Sequence, residues 1–149
     1  MVAKHIAGST VAPDGSEYVV LTDGQGTLGG SFSSFYPTGA TPITASATGT
    51  TGATVATLTG ASGKTTYIAG FIITADATAA IAGAATVTGT VTGSLNFIQN
   101  VGAATSATTL QQNFNPPIPA SATNTAITIT SLAAGTGGST AVTAWGFQL

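Results

Sequence analysis

The chain has 149 residues, of which 43% are hydrophobic, and this is enough to bury the core of one domain. Only 4% are Asp, Glu, Lys or Arg, against roughly 25% in ordinary soluble domains. The lack of basic patches excludes nucleic-acid binding through phosphate contacts. The lack of cysteine excludes disulfides and thiolate metal sites.

Charge is too scarce in this chain to protect the edges of a β-sheet. Soluble β-proteins usually keep unpaired edge strands apart with Lys, Glu or bulges, and a domain with little net charge tends to associate. We therefore expect partners to cover the edges and faces of this protein. No apolar run reaches about 18 residues, so no membrane-spanning helix is predicted.

Residues 1–31 differ in composition from the rest of the chain. They contain five of the seven ionisable side chains, namely Lys4, His5, Asp14, Glu17 and Asp23. Turn residues at 12–15 and 23–26 flank a short strand made of Tyr18, Val19, Val20 and Leu21. One strand between two turns has no core of its own, so we predict an extended N-terminal arm that packs on another protein. Residues 32–52 end in a run of Gly, Thr and Ala and are predicted to be a linker.

The main domain is predicted over residues 53–149, beginning with a strand at 53–59. Residues 86–97 alternate between apolar and hydroxyl or amide side chains, which places the two kinds on opposite faces of a strand. Gly89 and Gly93 interrupt the apolar face and indicate a bulge, a bend or a close backbone approach. Residues 65–74 are apolar on both faces, as is typical of a covered central strand.

Three more strands are predicted, at residues 107–114, 124–132 and 140–149. The prolines within 115–119 are expected to end strand pairing and to leave an extended, exposed segment. The glycines within 135–138 are expected to form a turn. The last strand carries Trp145 and Phe147 on one face, and burial in a core or an interface is favoured for Trp145.

The strand count favours an all-β fold. Residues 75–85 are rich in alanine but show no amphipathic stripe, so they are predicted to be a loop. About seven or eight short strands without a convincing helix favour a jelly-roll-like β-sandwich, here with an extended N-terminal arm.

Motifs that resemble catalytic or metal sites are incomplete. Residues 60–65 resemble the end of a phosphate-binding loop, but Leu58 stands where the first glycine is needed and a strand pattern follows, so a hairpin turn is favoured. Asp14 and Asp23 each precede a glycine, and turn chemistry is favoured over calcium binding. Any Ser–His–acid triad or zinc site would have to use His5, the only histidine. We predict no catalytic residues, no metal and no cofactor.

Two groups of residues suggest binding surfaces. An array on the alternating strand resembles the faces of ice-binding proteins, but no fixed short repeat supports it and an ordinary solvent or interface face is favoured; the array is Thr86, Thr88, Thr90 and Thr92. Four aromatic side chains could stack on sugars, as in jelly-roll lectins; they are Tyr18, Tyr36, Tyr67 and Trp145.

Four segments carry a resemblance to a known group of proteins. They are APDGSEYVVLTDGQGTL at residues 12–28, KTTYIAGF at 64–71, FNPPIP at 114–119 and AWGFQL at 144–149. Together they resemble small virion proteins of tailed bacteriophages, and the chain looks like a jelly-roll capsid decoration (cement) protein. The resemblance implies homotrimers on the outer surface of the capsid and brings no catalytic residues with it.

The resulting hypothesis is a virion structural protein that binds the phage head and stabilises it. Its expected partners are the major capsid protein and further copies of itself, without nucleic acid or membrane. Contact with the capsid is expected from the arm, through Tyr18, Val19, Val20 and Leu21. Subunit contacts are expected at Phe114, Pro116, Pro117, Ile118, Trp145 and Phe147. The alternative is a carbohydrate-binding head-fibre or tail-adhesin module on the same fold.

Overall fold

The computed structural model describes residues 9–11, 17–19, 36–103 and 107–149. The chain divides into two units, Met1–Pro37 and Thr38–Leu149. In the first unit, β1 (Ser9–Val11) and β2 (Glu17–Val19) pair in antiparallel fashion. The strand predicted at residues 18–21 therefore overlaps β2, while Val20 and Leu21 lie outside the described residues. The extended form of the arm stays a prediction.

The second unit is a single antiparallel sheet of six strands. They are β3 (Thr41–Leu58), β4 (Thr66–Asp76), β5 (Ile81–Thr90), β6 (Gly93–Val101), β7 (Thr108–Pro119) and β8 (Ile127–Gln148). The strand order is β6-β5-β8-β4-β7, and β3 pairs with the other edge of β8. A bridge joins Thr90, at the end of β5, to Ala120, which follows β7, and the sheet is nearly closed. The predicted all-β class is confirmed, and the jelly-roll arrangement stays a prediction.

Strands β3 and β8 form a long two-stranded ribbon along which the other strands are arranged. β3 begins at Thr41, so residues 41–52 form a strand where the sequence predicted a linker. Residues 135–138, predicted to be a turn, lie inside β8. Gly135 and Gly137 adopt positive φ angles of 75° and 77° there, and Thr51, which pairs with Gly135, has a φ of 68°. These residues shift the strand register in a bulge, which bends the ribbon without reversing the chain.

The core fills the inner side of this sheet. Alternate residues of β8 point into it, and Val142 and Ala144 are fully buried. Phe71 of β4 lies at the centre, with its ring centroid 5.3 Å from that of Phe97 and 6.2 Å from that of Phe114. These rings come from three different strands, so the aromatic cluster joins β4, β6 and β7.

The alternating segment at residues 86–97 forms a hairpin. β5 and β6 pair with Val87 opposite Leu95, and the chain reverses at residues 91–92. Val87, Leu95 and Phe97 face the core as predicted, whereas Val91 lies in the turn and is exposed. Gly89 has a φ of 85° at a register shift, and a Cβ there would overlap the carbonyl oxygen of Ala126. The glycine prediction is therefore confirmed, since the segment has both a bulge and a close backbone approach at this position.

The prolines of β7 interrupt strand pairing but do not end it, so that prediction was right only in part. β4 pairs with residues 108–113 and again with residues 118–119, and residues 114–117 between them have no partner in β4. Ile118 lies opposite Ile68, and Pro119 lies opposite Tyr67. The strand order places β7 at the edge of the sheet, where it pairs with β4. An edge strand tolerates proline because the missing N–H need not face a neighbouring strand.

Candidate functional site

The side of the sheet that faces away from the core carries the main surface feature of the described residues. We call this side of β3, β8 and β4 the outer face. Its side chains alternate with buried ones such as Val142 and Ala144, so the period of two decides which residues reach the surface. The outer-face residues are Thr44, Ser46, Thr48 and Thr50 of β3, Ser139, Ala141, Thr143 and Trp145 of β8, and Ile72, Thr74 and Asp76 of β4.

Strand register aligns these residues in rows across the three strands. Ser139 pairs with Thr50 on one side and with Asp76 on the other. One row further along, Ala141 lies between Thr48 and Thr74. Directly opposed residues have Cβ atoms about 4.5–5.5 Å apart, so the side chains of each row are neighbours.

These two rows line a cleft of about 450 Å³. Three adjacent strand segments form its floor, residues 48–50, 139–141 and 74–76, and Ala107 stands at its border. Ala141 contributes only a methyl group between two threonines, which leaves a depression in the middle of the face. The volume falls in the range that suits small ligands, about 300–1,000 Å³.

Asp76 is the only charged side chain among the described residues that line the cleft. It is exposed, and its carboxylate has no hydrogen bond or ion pair to any residue in the described ranges. Lys64 does not balance it, because its Nζ donates a hydrogen bond to Thr41 Oγ1 at 2.9 Å and it does not line the cleft. The cleft therefore offers several hydroxyl groups and one anionic acceptor, but no cation.

Aromatic rings occupy the opposite end of the outer face. The indole of Trp145 lies over Gly70, with its Cζ2 atom 2.6 Å from the point where a Cβ of Gly70 would be. The rings of Tyr67 and Phe147 stack with centroids 4.8 Å apart and an angle of 10° between their planes. Phe147 is buried, whereas Tyr67 and Trp145 are half-buried.

The residues predicted for subunit contacts do not form one patch. Phe114 and Ile118 pack against the core of their own chain. Pro116 is exposed, and Pro117 beside it is half-buried. Trp145 belongs to the outer face, on the side opposite Val142 and Ala144, whereas Phe147 is buried with its ring stacked on that of Tyr67. Contact between subunits through these residues stays a prediction.

Two of the four capsid contacts predicted in the arm lie in a described strand. Tyr18 and Val19 belong to β2, opposite Thr10 and Ser9. Other arm residues that the sequence analysis weighed lie outside the described residues, and they are His5, Asp14, Val20, Leu21 and Asp23. Capsid contact by the arm is therefore still a prediction.

The other two motifs have structural roles. Residues 60–65 form a turn that leads into β4, with the Lys64 N–H bonded to the Ala61 carbonyl at 3.1 Å. A strand follows this turn, as predicted. The threonine array does not make one flat face, because Thr90 is buried and donates to the Gly93 carbonyl at 2.6 Å, while Thr92 lies in the hairpin turn.

Two further features are absent from the described ranges, a metal-binding cluster and a membrane-spanning helix. No group of three or more His, Cys, Asp or Glu side chains is placed to hold a metal ion there. Nor do those ranges contain a helix with the length and apolarity needed to cross a membrane. Comparison with known proteins returns no matching family model, no matching curated protein and no matching solved structure.

The cleft was not predicted from the sequence. Its residues come from three distant segments, and one of them, residues 48–50, was assigned to a linker. A signal was present nevertheless, since Thr44, Ser46, Thr48 and Thr50 repeat with a period of two, which is the mark of a strand with a hydroxyl face. Alanine and glycine between the hydroxyl residues obscured the pattern, because neither is typical of strands.

Proposed function

We propose that this protein is a virion structural protein that decorates the outer surface of a tailed-phage capsid and stabilises it by burying surface. The observation that carries the proposal is the long uncharged edge of β3. This strand has 18 residues without a charged side chain, and it pairs with β8 along one edge only among the described strands. Proteins that stay apart in solution usually protect such an edge.

The scarcity of charge supports the same proposal. Lys64 and Asp76 are the only charged side chains between residues 36 and 149. A surface of hydroxyl and apolar groups can be buried against a partner without the cost of removing ions from water. The finer features of the proposal are a jelly-roll-like arrangement, a homotrimer and attachment through the N-terminal arm, and they rest on the resemblance in residues 12–28 and the other segments.

Mass spectrometry of purified particles of the parent phage tests the proposal directly. The chain should be present in a fixed ratio to the major capsid protein, and it should be released before the shell breaks when the particles are heated. Purified particles that lack the chain would contradict a structural role in the virion.

Removal of residues 1–31 tests the proposed mode of attachment. Because the chain divides after Pro37, the truncated protein should stay folded while losing its binding to capsids. A chain whose first 31 residues are shuffled is the matched control, since it keeps the length and charge of the arm. Equal decoration by the truncated, shuffled and complete chains would show that the arm is not the anchor.

Carbohydrate binding is the second candidate function, and the specific observation in its favour is the cleft on the outer face. Hydroxyl groups, one carboxylate and a tryptophan at the other end of the same face are groups that bind sugars. The two functions are compatible, because a decoration protein exposes one face to solvent on the particle. A fold of this kind does not by itself decide between them.

A further inference from the structure

The lining of the cleft indicates the chemical class of ligand that it can bind. Thr48, Thr50, Thr74 and Ser139 present hydroxyl groups, each of which can donate one hydrogen bond and accept two. The Asp76 carboxylate can accept hydrogen bonds at both oxygens. A ligand that matches this set must itself carry several hydroxyl groups.

Two other classes of ligand fit poorly. An anionic ligand such as a phosphate or an acidic sugar would face Asp76 without any cation in the cleft. An apolar ligand would cover the hydroxyls and the carboxylate and remove them from water without new hydrogen bonds, which is costly. Uncharged polyhydroxyl compounds use both the hydroxyls and the carboxylate, whereas a cation would be drawn chiefly to Asp76, and the test below includes that outcome.

The outer face extends beyond the cleft toward Trp145. Along β8 the outward residues after Ser139 are Ala141, Thr143 and Trp145, so only small side chains stand between the cleft and the indole ring. Six residues of an antiparallel strand cover about 20 Å, which is longer than one sugar ring. Hydroxyl groups of β3, at Ser46 and Thr44, border this path.

We propose that the outer face binds an uncharged oligosaccharide, with one sugar in the cleft against Asp76 and the chain running along β8 to Trp145. Asp76 and the threonines hold sugar hydroxyls, and the indole packs against the apolar face of a sugar ring. The inference deepens the carbohydrate-binding candidate and is independent of attachment to a capsid.

Trp145 supplies the readout for the experiment. It is the only tryptophan in the chain, so its fluorescence reports on this site alone. The complete chain is first screened on an array of neutral and acidic glycans, and the neutral glycans that bind are then titrated in solution. We expect a shift in the emission of Trp145 that saturates with an uncharged glycan, and no binding of its acidic counterparts.

Two substitutions in the cleft test its role. Asp76→Asn keeps the size of the side chain and removes its charge, and it should weaken binding by about tenfold or more, since hydrogen bonds to charged groups are the stronger ones. Ala141→Leu should block the cleft by filling the depression between Thr48 and Thr74. The matched control is Ala133→Leu, a substitution of an exposed alanine on the same strand that does not line the cleft.

The thermal unfolding temperature of each variant shows whether that variant has folded. A second variant is prepared for the case that Ala141→Leu does not fold. In that case a Thr48→Val variant, altered at an exposed cleft hydroxyl, replaces it and should also weaken binding. The proposal is overturned if no neutral glycan binds, if Ala133→Leu and Ala141→Leu behave alike, or if only calcium ions bind at Asp76. None of these results bears on whether the chain is found in virions.

Discussion

At the scale of single residues, Gly89 is a position where the fold depends on the absence of a side chain. Gly89 and Gly93 both have positive φ angles, 85° and 84°, but only Gly89 lies against another backbone segment, at Ala126. We expect Gly93→Ala to cost about 1 kcal/mol of stability through backbone strain. Gly89→Ala should cost about 2 kcal/mol more because it adds a steric overlap.

Urea unfolding of the two glycine variants measures this difference. Gly93→Ala is the matched control, since an added Cβ there meets nothing within 4 Å. Equal losses for the two variants would show that the contact with Ala126 does not constrain the hairpin.

A second prediction at this scale concerns three hydroxyl groups inside the bend of the ribbon. Thr54, Ser131 and Thr140 are buried. The hydroxyls of Thr54 and Thr140 are hydrogen-bonded to each other, and the Thr54 N–H donates to Ser131 Oγ at 2.9 Å. Thr54→Val should cost about 1–3 kcal/mol, because it leaves the Thr140 hydroxyl with a poorer set of partners in a buried site.

A double-mutant cycle measures the interaction between the Thr54 and Thr140 hydroxyls. Thr140→Val combined with Thr54→Val removes both hydroxyls, so the double variant should be less destabilised than the sum of the two single variants. Chemical denaturation of all four proteins gives the coupling free energy. Strictly additive losses would contradict a direct interaction between these two side chains.

At the scale of elements, aromatic side chains join the two end strands of the sheet, β6 and β7. The rings of Phe97 from β6 and Phe114 from β7 have centroids 6.4 Å apart, and both contact Phe71. Phe97→Ala should destabilise the unit by about 3–5 kcal/mol. Amide exchange should rise first in β6, because it lies at the end of the sheet and pairs with β5.

The neighbouring residue is the control for this prediction. Ile98 points to the opposite side and is 71% exposed, so Ile98→Ala removes a large side chain without opening the core. Its effect should stay within about 0.5 kcal/mol. Hydrogen exchange followed by mass spectrometry distinguishes the variants, and faster exchange in β4 than in β6 for Phe97→Ala would contradict the proposed order of opening.

At the scale of the whole molecule, the lack of charge predicts an assembly that responds little to salt. If the proposed homotrimer forms, its contacts must be mainly apolar and hydroxyl, since the unit Thr38–Leu149 has only Lys64 and Asp76 to offer to ion pairs. Light scattering at about 50 mM and about 500 mM salt spans roughly a threefold change in the Debye length. The molar mass should be that of a trimer at both concentrations.

The two ways in which this measurement can fail have different meanings. A monomer at both salt concentrations would contradict the trimer itself. A trimer that dissociates only at the higher concentration would contradict the apolar interface, because ionic contacts weaken when charges are screened. Arm residues such as Lys4 and Asp14 would then become the first candidates for the contact.

The sequence alone determined the class of fold, the two-faced alternation of residues 86–97 and the scarcity of charge. Each of these is a local property. Alternation of Thr with Val and Leu separates two faces over a few residues, and glycine marks the bulge where a side chain does not fit. The predicted turn at residues 60–65 depended on the same local chemistry.

The tertiary structure decided how far the strands extend and which residues meet. Residues 41–51 form a strand because they pair with β8 between residues 135 and 148, a partner too distant in sequence to be read from small residues such as Ala45 and Gly49. The same reason applies to the segment that contains Gly135 and Gly137. Its glycines are typical of a turn, but in the structure β8 continues through them as a bulged strand. The cleft exists only where three such segments lie side by side, because the pairing of distant strands, not any local pattern, brings Thr50, Ser139 and Asp76 into one row.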